Sequence, residues 1–256
     1  MSTTGNGEQL SLIALQRFPL IQSGDDIGAL IVEGVLAENL PVQDGLVIVI
    51  AQKIISKAEG RAVRLDSVTA GNEAVLIAEK SGKDARLVEL ILSESSEIIR
   101  QSDNLIITET NLGIIMANAG IDQSNIDEGY ALLLPENPDD SARAIGQQVS
   151  EALGFDVGVV IADSVGRPWR KGVVGIAIGV YGVPALLDIR GSVDLNGREL
   201  QATEVGVADS IAAAATLLMG QGSEGNPVIL LSGLSYDAPS SGATDILRDK
   251  DSDLFR

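Results

Sequence analysis

The sequence has neither cysteine nor histidine among its 256 residues. The first absence excludes disulfides, thiolate metal sites, thiol nucleophiles and iron–sulfur clusters. The second excludes Ser-His-Asp triads, imidazole acid–base pairs and histidine-bound zinc. Any chemistry therefore falls to Asp, Glu, Lys, Arg, hydroxyls, backbone amides or a hard metal ion. Aromatic residues are scarce as well, at 3% against 45% hydrophobic residues overall. The core must then be built from Val, Ile, Leu and Ala, as in proteins whose strands are covered on both faces. No apolar run approaches the roughly 18 residues that a membrane span needs. No basic segment precedes an apolar stretch at the N-terminus, so a cytoplasmic protein without a membrane partner is expected.

What is abundant is negative charge: 18 basic side chains face 36 acidic ones, for a net charge of −18. Such a field repels phosphate backbones, so nucleic acid is not an expected partner. An anionic small-molecule ligand would need bridging cations or a local basic patch.

The length fits one large domain or two intimately joined ones. Residues 1–10 are polar and Gly-rich and are expected to be flexible. Residues 11–234 carry the ordered pattern, and from Ser235 to residue 256 the composition turns to Ser, Gly, Asp and Arg, a mobile tail or lid. Within the ordered part, Ser11–Leu15, Gly45–Ala51, Asn104–Glu109, Gly113–Ala117, Tyr130–Leu134, Val157–Ala162, Gly172–Tyr181, Pro184–Ile189 and Pro227–Leu231 read as strands. Helices are expected after a cap at Asp25 or Asp26, near Asn72–Lys80, Asp84–Glu94 and Ser141–Leu153, and from about Glu204 to Met219. Asn196-Gly197 carries a type I′ hairpin signal. The elements alternate without a regular βαβαβ rhythm, which predicts an α+β or irregular α/β fold with mixed, largely paired strands.

Four segments carry chemistry. Gly220-Gln221-Gly222-Ser223-Glu224-Gly225 matches the dinucleotide spacing G-x-G-x-x-G, but a helix precedes it and a strand follows, so a Rossmann site is rejected. As a glycine loop it is either a plain turn or an amide-lined cradle for an anion. Asn118–Asn125 follows an apolar strand and reads as a loop of Asx turns around Asp122. Asp163 and Ser164 end the buried strand Val157–Ala162 and lead into a cationic loop bearing Arg167, Arg170 and Lys171, which suits a carboxylate or phosphate. Lys53 and Lys57 follow the buried strand at Gly45–Ala51 and either meet phosphates or sit in a solvated loop. Oxygen ligands such as Asp122 and Asp163 suit Mg²⁺ or Mn²⁺ shared with substrate phosphates.

Together these segments resemble the coenzyme F420 γ-glutamyl ligase family. The likeness runs through Phe18–Ile21 with Gly24–Asp26, Ala51–Arg61, Lys83–Leu92, Asn118–Asn125, Leu132–Pro135, Asp163–Gly172, Asp194–Leu200 and Leu218–Pro227. It covers nearly all of the ordered chain in order, and Asp163–Gly172 and Asn118–Asn125 are its most specific parts. The resemblance implies a family-specific fold, a homodimer, and a GTP-dependent ligase that uses Mg²⁺ or Mn²⁺ and K⁺ to join L-glutamate to coenzyme F420-0. By matching position it implies metal ligands at Asp122, Asp163, Ser164 and Gln221. It implies GTP contacts at Phe18, Pro19, Leu20, Ile21, Gln52, Lys53, Lys57 and Asn125, and along Met219, Gly220, Gln221, Gly222, Ser223, Glu224, Gly225 and Asn226. Ser164 stands where some relatives have Thr. Gln221 stands where some have Glu, which removes a charge.

The implied chemistry activates a carboxylate of the deazaflavin precursor as an acyl phosphate, which the amine of glutamate then displaces, with further γ-linked glutamates added later. Lys57, Asp122 and Asp163 would be the catalytic groups. Arg167, Arg170 and Lys171 are assigned, from charge alone, to holding the acidic substrate arm and the incoming glutamate. Some relatives carry a nitroreductase-like flavin-binding domain after this one, and none is expected here. Two other readings use the same residues: a metal-dependent nucleotide phosphohydrolase and a non-catalytic nucleotide-binding module.

Overall fold

The structure, a computed structural model, describes residues 9–236 and 239–255. Most of the expected flexible N-terminus, residues 1–8, and positions 237, 238 and 256 of the expected tail lie outside the described residues.

Strand β1 (Ser11–Ala14) leads through an irregular loop to helix α1 (Ile27–Ala37), then β2 (Leu46–Ala51) and α2 (Gln52–Ala58). An excursion follows, with β3 (Ala62–Arg64), α3 (Asn72–Ser81), α4 (Ala85–Ser93), β4 (Ser95–Ser102), β5 (Leu105–Thr110), β6 (Ile115–Ala117) and β7 (Tyr130–Leu132). The chain returns through α5 (Pro138–Leu153), β8 (Val157–Arg167), β9 (Arg170–Tyr181), β10 (Leu186–Asp188), β11 (Glu204–Gly206), α6 (Val207–Met219) and β12 (Val228–Ser232).

Capping chemistry fixes the helix starts. Asp26 accepts the Ala29 amide and Asp84 accepts the Arg86 amide, while Asn137 caps α5 with Pro138 in its first turn. Gly154 ends α5 in the left-handed conformation at φ 80°.

The main sheet has five strands in the order β1-β12-β2-β8-β9. Only β2 and β8 pair in parallel within it; the other neighbours are antiparallel. The alternation of side chains builds two cores from one set of strands. Leu46, Ile48, Ile50, Val157, Val159, Ile161, Val228 and Leu230 face α1 and α5 on one side. Val47, Val49, Val160, Ala162, Ile229 and Leu231 face α6 on the other. Two glycines of β9 admit the helices closely. A Cβ on Gly175 would lie 2.6 Å from the Ala212 carbonyl oxygen of α6, and one on Gly179 would lie 2.5 Å from the Pro138 carbonyl oxygen of α5.

The excursion forms its own cluster. Helices α3 and α4 cover the three-stranded sheet β4-β5-β6, burying Val88, Ile91, Ile106 and Ala131 among others. The whole is an α+β fold, as the sequence predicts. Among the described residues, no helix is long and apolar enough to cross a membrane.

Several expectations are corrected. The stretch after Ala51 is no loop but helix α2, which a seven-residue amphipathic segment with lysines at two positions does not advertise. The strand expected to end at Ala162 runs on to Arg167, because β9 pairs with it as far as Arg170. The cationic loop is therefore the end of a hairpin, and Asp163 sits within a strand opposite Ile176. Strand β4, rich in Ser, Glu and Gln, was not anticipated. Residues Glu204–Gly206 form a short strand against β10 before the helix begins. Gly197 has a φ of 78° but Asn196 does not share the positive φ of a type I′ turn; Asp194 instead accepts the Asn196 and Arg198 amides.

Candidate active site

The parallel pairing of β2 with β8 ends with Ala51 opposite Ala162, beyond which β8 continues alone against β9. Open sheets bind ligands beyond the carboxyl ends of such strands, where the chain leaves the sheet and side chains can converge. Here β2 passes directly into α2 and β8 delivers Asp163 and Ser164. A cleft of about 480 Å³ opens at this edge. It is walled by Phe18–Ile21, the start of α2, Ser124 and Asn125, and the loop after α6.

Lys53 and Lys57 project from α2 on one side. The Lys53 ammonium lies 2.5 Å from Asp122 Oδ2, in a half-buried ion pair. The Lys57 ammonium donates to the Asn125 carbonyl oxygen at 2.7 Å. Gln52 also borders the cleft but is buried, donating its amide to Ser56 Oγ at 2.6 Å and to the Leu133 carbonyl oxygen.

Asp122 reaches the site from the excursion. Its backbone bridges Leu132, which holds the loop against β7. Its carboxylate closes an Asx turn by accepting the Ser124 amide at 2.7 Å and the Ser124 hydroxyl at 2.9 Å. Burial works to raise this carboxyl, but the Lys53 ammonium and the Ser124 bonds outweigh it and leave it below the usual carboxylate range. Asn118, Ala119 and Gly120 immediately upstream all have positive φ, a tight left-handed bend that turns the chain from β6 toward Asp122.

Asp163 behaves oppositely. Burial pushes its carboxyl up to about 6, against the Ser164 amide bond and the Lys53 charge, with the Asp122 charge adding to the rise. Among the described residues it accepts one hydrogen bond, from the Ser164 amide at 2.8 Å, and meets no ion-pair partner. Asp163, Ser164 and Gln221 border the cleft and Asp122 reaches it through its ion pair with Lys53, a set of oxygen-bearing side chains in which the part-buried Asp163 carboxylate has few partners. That set fits a hard divalent cation. No three carboxylates come together among the described residues, so the remaining ligand positions would fall to substrate oxygens or water.

The glycine loop lies between α6 and β12, as expected. Met219, Gly220, Gln221, Gly222, Ser223, Gly225 and Asn226 border the cleft. Glu224 does not. It turns back to accept the Gly222 amide at 2.8 Å, a bond that lowers its carboxyl and tightens the loop. Arg167, Arg170 and Lys171 also stand apart from the cleft wall, at the end of the hairpin. Ser124 was missed from sequence; its signal is the Asp-Gln-Ser-Asn spacing of an Asx turn, which places a hydroxyl beside Asp122.

A family profile described as F420-0:Gamma-glutamyl ligase matches residues 16–233. The chain is 46% identical to the coenzyme F420:L-glutamate ligase of Methanothermobacter thermautotrophicus, covering 96% of this chain and 99% of that protein. It is 43% identical to the enzyme of the same name from Methanocaldococcus jannaschii, over 97% of each chain. The protein so named from Methanopyrus kandleri is 44% identical over 96% of this chain and 99% of its own length. On this likeness across almost its whole length, the chain belongs to the F420-0:γ-glutamyl ligase family.

Proposed function

We propose that this protein uses GTP to join L-glutamate to coenzyme F420-0 and then adds further glutamates through γ-carboxyl linkages. The observation that carries the reading is the convergence of Lys53 with its partner Asp122, Lys57, Asp163 and the glycine loop at one cleft, in a chain whose relatives are named for this ligation.

A carboxylate is a poor acyl donor to an amine. Its oxygen must first attack the γ-phosphorus of GTP, forming an acyl phosphate as GDP leaves. The glutamate nitrogen then attacks the acyl carbon and inorganic phosphate departs. The amine proton passes to the departing phosphate or to a carboxylate of the site. Lys57 neutralises charge on the transferring group, and Lys53 orients Asp122. The glycine loop borders the phosphate end of the cleft, with its Gly222 amide held by Glu224, while Phe18–Ile21 cover the nucleoside side. A divalent Mg²⁺ or Mn²⁺ held by Asp122, Asp163, Ser164 and Gln221 would supply charge neutralisation on the phosphate oxygens. Arg167, Arg170 and Lys171 hold the acidic arm of the acceptor. The active form is proposed to be a homodimer that also takes K⁺.

The test is mass spectrometry of products formed from F420-0, L-glutamate and GTP with Mn²⁺ or Mg²⁺ and K⁺. One added glutamate per GTP consumed, resistant to α-specific peptidase, is the expected result. Phosphate release that needs neither glutamate nor deazaflavin would indicate a phosphohydrolase. GTP binding without any turnover would indicate a binding module.

A further inference from the structure

At its outer end the β8–β9 hairpin turns through Pro168 and Trp169, between the paired Arg167 and Arg170. Proline fixes its own φ near −65°, and Trp169 follows at φ 60°. A turn with this pattern favours glycine or asparagine in the second place, because a Cβ is crowded in the left-handed region. Among the described residues, the other non-glycine positions with positive φ are Asn39, Asn104, Asn118 and Asn125, together with Arg17 and Ala119. Trp169 has the bulkiest side chain held this way, and 82% of it is exposed. Neither backbone preference nor burial explains a tryptophan here, and a strained residue at an exposed tip points to contact with a ligand.

The surroundings specify the ligand. Arg167, Arg170 and Lys171 flank Trp169 in the hairpin end, and none has a carboxylate of the described residues within ion-pair distance. Arg167 is steadied by donating to the Gly172 carbonyl oxygen at 3.2 Å. Phe255 packs edge-on against Trp169, with ring centroids 4.8 Å apart and planes at 67°. That contact braces the indole and leaves most of it open. In a chain of net charge −18, an open indole on a hairpin end that carries three cationic residues suits a flat aromatic molecule with negative charge. Four strand positions separate Asp163 from Arg167, about 13 Å along β8. A substrate whose reacting carboxylate lies at Asp163, at the end of a long arm, places its ring near this tip.

Resting on the ligase reading above, we propose that Trp169 is the binding residue for the deazaflavin ring. The tricycle stacks on the indole while its acidic arm runs past Arg167 toward the cleft.

Trp169 is the sole tryptophan, so indole emission reports on this position alone. Titration of the intact enzyme with F420-0 is expected to quench that emission saturably, whereas GTP alone leaves it unchanged. Trp169→Gly gives the turn its preferred residue and so removes the indole without endangering the fold. It is expected to melt no lower than the parent and to raise KM for F420-0 by about tenfold. Its KM for GTP should move far less. Trp169→Phe, which keeps a ring, should recover most of the loss. Unchanged emission at saturating F420-0 in an enzyme that ligates it, an unaltered KM in the glycine variant, or emission that responds only to protein concentration would each overturn the assignment. Failure of the parent enzyme to glutamylate F420-0 would instead overturn the ligase reading, and the product assay detects that independently of fluorescence.

Discussion

Lys53 and Lys57 stand one turn apart on α2 and face different partners: Lys53 is paired with Asp122, while Lys57 bonds only a backbone carbonyl. The Lys57 charge is therefore available to a phosphate, and Lys57→Ala is expected to lower kcat with GTP by ten- to a hundredfold, roughly the value of one charge at a transferring phosphoryl group. Steady-state kinetics unchanged in that variant would remove Lys57 from the mechanism. Asp122→Asn and Asp163→Asn should each cost on the order of 10²-fold in rate with circular dichroism unaltered, since each removes a charged oxygen donor. Full activity in both would refute the donor set. A carboxylate away from the cleft offers a pH test. Asp209 shares a cavity of about 280 Å³ with Asp139, Arg248 and Asp253. Burial raises its carboxyl, against a hydrogen bond from the Ala177 amide. A carboxyl raised on folding binds its proton more tightly in the native state. Stability is therefore lost as pH climbs from the unfolded value, near 4, through the higher native one. Asp209→Asn keeps an acceptor for Ala177 and removes the charge. Its melting temperature should match the parent at pH 4 and exceed it at pH 8; a constant difference would contradict this.

The β8–β9 hairpin joins chemistry at two distances, with Asp163 at the cleft edge and the three cations at the tip. Arg170→Glu reverses a charge at the tip and leaves the cleft intact. We expect it to slow elongation of an already glutamylated acceptor severalfold more than it slows GTP hydrolysis, because only the acceptor lengthens its negative arm at each step. Equal losses in the two assays would refute the role of the tip. The inner part of this hairpin was legible as the continuous apolar run Val157–Ala162, whereas its outer part was not. Asp163–Arg167 alternates polar, small and charged residues, and its extension comes from hydrogen bonding to β9, a contact about ten residues away that local pattern does not encode. Helix α2 was hidden for a related reason. Seven residues are too few to show a period, and its stability comes from burying Ile54 and Ile55 beneath the sheet edge. Strands β2 and β12 were plain from sequence because both faces are buried and every position but Ser232 is apolar.

Across the whole molecule, Arg61 joins the segment that enters the excursion to the segment that leaves it. Its guanidinium donates to Glu94 at 2.8 Å, to the Leu134 carbonyl oxygen at 2.8 Å and to Glu136 at 3.3 Å. Arg61→Ala would leave the Glu94 carboxylate and a carbonyl without this partner. It should destabilise the protein by about 2 kcal/mol, measured as a lower urea midpoint. An unchanged midpoint would show that the entry and exit of the excursion hold together without it. Sequence alone determined the class of chemistry, since the missing Cys and His leave oxygen donors and lysines, and it determined the apolar strands, whose burial follows from composition. It also singled out Asp122, Asp163, Lys53 and Lys57 as isolated segments. Only the tertiary structure decided that they meet. The parallel register of β2 with β8 and the Asp122–Leu132 bridge bring together residues up to 110 positions apart, from Lys53 to Asp163. The left-handed bend at Asn118–Gly120 aims the intervening loop. Pairing across such separations depends on the summed burial of whole strands, and no local window of sequence contains that sum.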